Sequence, residues 1–188
     1  MAVEVQATRR RFTRKEYYRM AEVGILGERD RVELIEGEII EMSPIGRHHK
    51  AFVYNLTRLL VLALGERATV SVQSPIPLSE DTEPEPDLTV LRRRDVSYKE
   101  REAGAEDALL VIEVAETSLR YDRTTKRRLY AQAGIPEYWV IDCAAETVEV
   151  HRRPTTDGYG DVRLVAGAGS LTLHAFPEIE LRTTDIFA

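Results

Sequence analysis

Residues 109–142 read LLVIEVAETSLRYDRTTKRRLYAQAGIPEYWVID. Leu109–Ala115 is an almost unbroken apolar run, too short to cross a bilayer and suited to a strand covered on both faces. Asp122–Ala133 reads as a helix closed by Gly134, with Pro136 just beyond: glycine accepts the left-handed cap and proline prevents continuation. Glu137–Asp142 then reads as a second buried strand. Strand, helix and strand of these lengths make a crossover unit with two parallel strands.

Two residues violate this pattern. Glu113 stands inside the buried strand. At about 100° per residue, Asp122, Lys126, Leu129, Tyr130 and Ala133 share one side of the helix, so Lys126 points toward the sheet while Arg123, Arg127 and Arg128 point elsewhere. Charged residues at core positions are expected where a site is built. A structural ion pair, or a lysine running along the helix edge, accounts for the pattern equally well.

The whole chain has 188 residues, which suits one domain spanning 1–188 with a sizeable core. Its composition, 43% hydrophobic and 31% charged, is that of an ordinary soluble globule. The formal net charge of −6 argues against a protein that coats nucleic acid non-specifically. It leaves room for a nuclease, because metal-binding carboxylates add negative charge and local basic clusters can still hold phosphates. Cys143 is the one cysteine, so no intramolecular disulfide forms. The start, MAVEVQATRRRF, lacks the apolar segment of a secretory signal. The aliphatic run Leu59–Leu64 is too short to span a bilayer. No membrane association is expected, and the cytoplasm is the expected compartment.

Residues 1–11 read as a loose basic arm. Thr13 and Glu16 form a capping box for a helix that ends near Gly24. Arg31–Met42 alternates as a β-hairpin turning at Glu36-Gly37; Glu36 is either a plain turn residue or an accessory acid. His48–Leu64 is a helix whose apolar stripe runs through Phe52, Val53, Leu56, Leu59, Leu60 and Ala63, with His49 extending that stripe at its start. Ala68–Pro75 reads as a strand and Ser79–Glu85 as a polar loop. In the sequence EPEPDLTVL, Asp87 opens a strand that runs to about Leu91. Asp95–Gly104 reads as a short helix or mobile loop. Thr147–Arg152 alternates as an antiparallel strand, Pro154–Asp161 as a turn-rich tip, Val162–Val165 and Ser170–Leu173 as short strands, and Phe176–Phe187 as an irregular end segment.

The anomalies are Asp87, Glu113, Lys126 and His49. Two carboxylates on adjacent strands can bind a hard divalent cation, which takes one or two carboxylates, waters and substrate phosphate. A cation so held lowers the pKa of a water and neutralises charge developing on phosphorus. A nearby ammonium orients the water or stabilises the transition state.

Pro86-Asp87, then Glu113 in a strand, then a lysine, resembles the PD-(D/E)xK nuclease superfamily. VELIEGEIIEMSP, His49 leading the next helix, EPDLTVL, LLVIEVAETS and KRRLYAQAGIPEYWVID together resemble one branch of it, the bacterial putative restriction endonuclease family of the Uma type. The likeness covers roughly Arg31 to Arg153. It implies an α/β fold with a mixed sheet: a three-layer restriction-endonuclease-like core, here with an added N-terminal helix and hairpin. It implies Mg²⁺, replaceable by Mn²⁺, held by Asp87 and Glu113 with a backbone carbonyl near Val114, and no small-molecule cofactor. Ala115 stands where the superfamily places its lysine, and Lys126 matches the position to which this branch moves it. His49 would line the site.

The expectation is therefore a metal-dependent endonuclease acting on DNA. A homodimer is expected, because cutting both strands needs two sites or two events. Two other classes fit the same sequence: a catalytically weak or inactive nuclease-fold module that binds or regulates a partner, and a metal-dependent hydrolase acting on something other than DNA.

Overall fold

The computed structural model describes residues 8–27 and 29–188. Its centre is a six-stranded sheet in the order β3 (Ala68–Val72), β4 (Leu88–Arg92), β5 (Ala108–Ala115), β6 (Glu137–Asp142), β7 (Thr147–Thr155), β8 (Gly158–Ala166). β5 and β6 run parallel, Glu113 opposite Val140, and all other neighbours are antiparallel, which makes the sheet mixed. The parallel pair is the crossover unit expected from residues 109–142.

Alternation along β5 sorts the two faces of the sheet. Leu110, Ile112 and Val114 join Leu88, Val90, Trp139, Ile141 and Val148 in one apolar cluster. That cluster is covered by α2 (Arg47–Leu64), whose Phe52, Leu56, Leu60 and Leu64 recur every four residues and are all buried. Val111 and Ala115 join Tyr130, Tyr138, Val140 and Tyr159 on the opposite face, covered by the crossover helix. The result is three layers, with apolar packing on both sides of β5 and β6.

The crossover helix is irregular. It begins at α3 (Leu119–Tyr121), earlier than expected, passes through a π-turn over Asp122–Lys126, and resumes as α4 (Arg127–Gln132). A π-turn inserts an extra residue into the helical repeat and is frequent at functional sites. It buries Asp122 and Lys126, and below it Leu129, Tyr130 and Ala131, whereas Ala133 is only half-buried. Gly134 caps the end in the left-handed conformation, φ 77°.

At the N-terminal side, α1 (Arg14–Glu22) carries the Thr13–Glu16 capping box. β1 (Val32–Ile35) and β2 (Glu38–Glu41) form the hairpin, with Glu36 at φ 48° and Gly37 at φ 76°, the twist a two-residue turn requires. A Cβ on Gly37 would come within 2.5 Å of the Arg11 side chain. Of the arm expected over 1–11, residues 1–7 lie outside the described residues; Arg11 donates to the Glu36 carbonyl at 2.6 Å.

Three expectations are corrected. β3 stops at Val72 rather than Pro75, because Gln73 turns into positive φ (45°) and Pro75 follows. The supposed tip at Pro154–Asp161 is mostly strand: β7 and β8 pair through Thr155 opposite Gly158, leaving only Thr156-Asp157 as the turn. The segment from Phe176 is not irregular: β10 (Phe176–Arg182) pairs with β9 (Ser170–Leu173), and α5 (Thr183–Ile186) follows. A bulge between Phe176 and Glu180 hides the strand's alternation in the sequence. No helix among the described residues is long and apolar enough to cross a membrane.

Candidate active site

Asp87 ends the loop that leads into β4, and Glu113 lies in mid-β5. The register Leu88 opposite Ile112 places Asp87 next to the Glu113–Val114 backbone, on the face that carries the crossover helix. Oδ2 of Asp87 accepts the Val114 N–H at 2.9 Å. On its other oxygen, Oδ1 stands 2.8 Å from Nε2 of His49, which comes from the first turn of α2. This imidazole nitrogen is buried and close enough to pair, yet it lacks the direction of a hydrogen bond. Burial opposes a charge on His49, but Asp87 and the backbone of Val114 outweigh it and raise the imidazole above its usual range.

Lys126 reaches the same place from the π-turn. Its ammonium lies 3.0 Å from Oε1 of Glu113 and 2.8 Å from Oε2 of Glu33, on β1. Tyr130 donates its hydroxyl to the same Glu113 oxygen at 2.7 Å. Burial raises the Glu113 carboxyl well above the carboxylate range, and neighbouring Asp122, Asp87 and Glu33 add to that against the pull of Lys126. Burial opposes the charge on Lys126 too, but Glu113 and Glu33 more than restore it, so the lysine keeps its proton. Asp122 is raised to about 6, mainly by burial, with Ser118 and Lys126 pulling the other way.

Apart from Tyr130, which packs behind Glu113, these groups line one cleft of about 580 Å³ between the hairpin, the start of α2 and the crossover helix. All four expected residues, Asp87, Glu113, Lys126 and His49, meet there. Glu36 does not: it faces outward and pairs with Arg128 at 2.8 Å, a turn residue tied to the helix surface. Sequence reading passed over two residues of the cleft, Glu33 and Asp122, and a third, Tyr130, that backs Glu113 from outside it. Glu33 sat on what looked like the solvent face of an alternating hairpin, yet it is only 4% exposed. Asp122 shared the inward face with Lys126, which was its only signal. Tyr130 looked like ordinary apolar packing.

The donor set fits a hard cation. Glu33, Asp87, Glu113 and Asp122 outnumber the cationic groups in the cleft floor, and His49 Nε2 is left unsatisfied beside Asp87. Among the described residues no three His, Cys, Asp or Glu converge as a ready-made cage. A divalent cation that binds through one or two carboxylates and completes its shell with other oxygens needs no such cage.

The sequence profile of the Uma2 family, described as "Putative restriction endonuclease", matches residues 14–184. The chain belongs to this family. No curated protein sequence matches the chain. Among solved structures, the chain is similar to a putative nuclease belonging to DUF820 from Anabaena variabilis, with a TM-score of 0.72 at 20% identity. The match covers 94% of this chain and 97% of that one. At that identity the likeness speaks for the fold, including the mixed sheet between helical layers.

Proposed function

We propose that this protein is a metal-dependent nuclease of the PD-(D/E)xK type that hydrolyses phosphodiester bonds in DNA. The observation that carries the reading is the meeting, in one cleft, of carboxylates from two adjacent strands and a buried ammonium from the crossover helix. Membership of a family described as "Putative restriction endonuclease", and the Anabaena neighbour described as a "putative nuclease", support it.

Asp87 and Glu113 would hold the cation, Mg²⁺ or Mn²⁺. When bound, it supplies Lewis-acid polarisation of a phosphate oxygen and acidifies a water. Lys126 provides a fixed positive charge where negative charge develops on the phosphate, and it needs no reorganisation because Glu33 already orients it. His49, 2.8 Å from Asp87, would add a second cationic group beside the phosphate. Tyr130 fixes the rotamer of Glu113 from behind.

Calorimetric titration of Mg²⁺ and Mn²⁺, with and without short DNA, on wild type and Glu113→Gln tests the reading, together with cleavage of labelled DNA. The expected result is cation binding and cleavage in wild type, both lost in the variant. Cleavage that survives Glu113→Gln would refute the assignment. Absence of both cation binding and cleavage with every DNA offered would favour the binding-module alternative.

A further inference from the structure

The acids of the cleft lie under a roof. Asp87, Glu113 and Lys126 are 8%, 5% and 4% exposed. Ile40 of β2 and Met42, Pro44 and Ile45 of the following loop line the cleft, as does Tyr121 from α3. The hairpin that supplies this roof is pinned. Glu33 holds Lys126, Glu36 holds Arg128, the Glu83 N–H reaches the Leu34 carbonyl at 2.7 Å, and the Gly37 N–H reaches the Asp81 carbonyl at 2.7 Å. These contacts fix the first strand and the turn of the hairpin against the crossover helix and the 79–85 loop.

Resting on the nuclease reading, we infer that the cleft admits one unstacked nucleotide at a time, so that its substrate class is single-stranded DNA, as free strands, overhangs or flaps, rather than continuous duplex. A duplex is stiff over roughly 150 base pairs and carries its phosphates on the outside of a cylinder. Acids so covered are reached more easily by a nucleotide that has left that cylinder, and leaving it is unfavourable in a paired duplex and cheap in a single strand. The volume, about 580 Å³, falls in the range of roughly 300–1,000 Å³ typical of a site for one small molecule. The lining divides as a nucleotide does: apolar side chains and a tyrosine ring to meet a base, and a charged floor to meet a phosphate. Tyr121 lines the cleft while its hydroxyl is buried, so the ring and not the hydroxyl is the part available to a ligand. Such a site acts on one strand and carries no requirement for a second active site.

Fluorescence anisotropy with wild-type protein tests this, with Ca²⁺ replacing Mg²⁺ and three labelled probes: a short single strand, its blunt duplex, and the duplex bearing a single-stranded flap. The single strand and the flap are expected to bind about tenfold or more tightly than the blunt duplex, and Tyr121→Ala is expected to lower single-strand affinity by about tenfold, as loss of one stacking partner does. If that variant does not fold, the comparison of probes on wild type still decides. Equal or tighter binding of the blunt duplex would overturn the inference and leave the nuclease reading standing. No binding of any probe, with no metal-dependent cleavage of any of them, would overturn both.

Discussion

The ammonium of Lys126 lies 2.8 Å from Glu33 on the hairpin and 3.0 Å from Glu113 on the central strand, so one buried charge joins the roof of the cleft to its floor. All three side chains are nearly covered. A buried cation between two carboxylates is worth little against an apolar replacement of the whole set, but removing one member strands the others. Lys126→Ala should therefore destabilise the fold by about 3–5 kcal/mol and abolish cleavage. Combining Lys126→Met with Glu113→Gln should cost less than the sum of the two single changes, because the groups share one interaction. Urea unfolding of the four proteins measures this, and strict additivity would show that the triad is not a unit.

Glu33 has a separable role. Glu33→Gln keeps the size and one acceptor but removes one of the two charges on Lys126. Stability should fall by about 1–2 kcal/mol, and cleavage should fall more steeply than cation binding, since Glu33 orients the lysine. Parallel calorimetry and cleavage assays distinguish the two. A proportional loss of cation affinity would add Glu33 to Asp87 and Glu113 as a ligand.

Asp122 should leave a signature in the pH dependence of stability. Burial raises its carboxyl to about 6 in the fold, from the ordinary aspartate value of 3.8. The folded state therefore holds its proton where the unfolded chain has already lost it, and stability falls as pH rises from about 4 to about 6 and stays lower above that. Asp122→Asn removes the buried charge while keeping an acceptor for the Ser118 hydroxyl. It should stabilise the protein by about 2 kcal/mol at pH 7 and leave it nearly unchanged at pH 4. A difference that does not vary with pH would contradict the burial argument.

Arg128 offers a contrast on the surface. It pairs with Glu36 at 2.8 Å with both side chains partly exposed. Arg128→Ala should cost no more than about 1 kcal/mol, less at high salt, and leave cleavage untouched. A large loss of activity would mean that the outer end of the hairpin takes part in catalysis.

Cys143 should resist modification. Burial pushes its thiol up to about 12, so little thiolate exists at neutral pH. Thiol reagents are expected to label it only after denaturation; rapid labelling of the folded protein would show that the end of β6 opens readily.

Local sequence determined much of this protein. The apolar run through Leu109–Ala115, the Gly134 stop and the run Glu137–Asp142 fixed a parallel strand–helix–strand unit, because buried strands need apolar side chains on both faces and a helix needs a break before it can return. Glu113 and Lys126 were visible as charges where that pattern allows none. The tertiary structure decided the rest. Glu33 reads as a solvent-facing hairpin charge until the hairpin folds over the crossover helix, and burial is a property of what lies opposite and not of the strand itself. The π-turn at Asp122–Lys126 shifts the helical phase by one residue, which a regular 100° step cannot anticipate. The pairing of β9 with β10 depends on a bulge and on contacts far along the chain. The cleft above the acids exists only once the hairpin has packed against the crossover helix and the loop at 79–85.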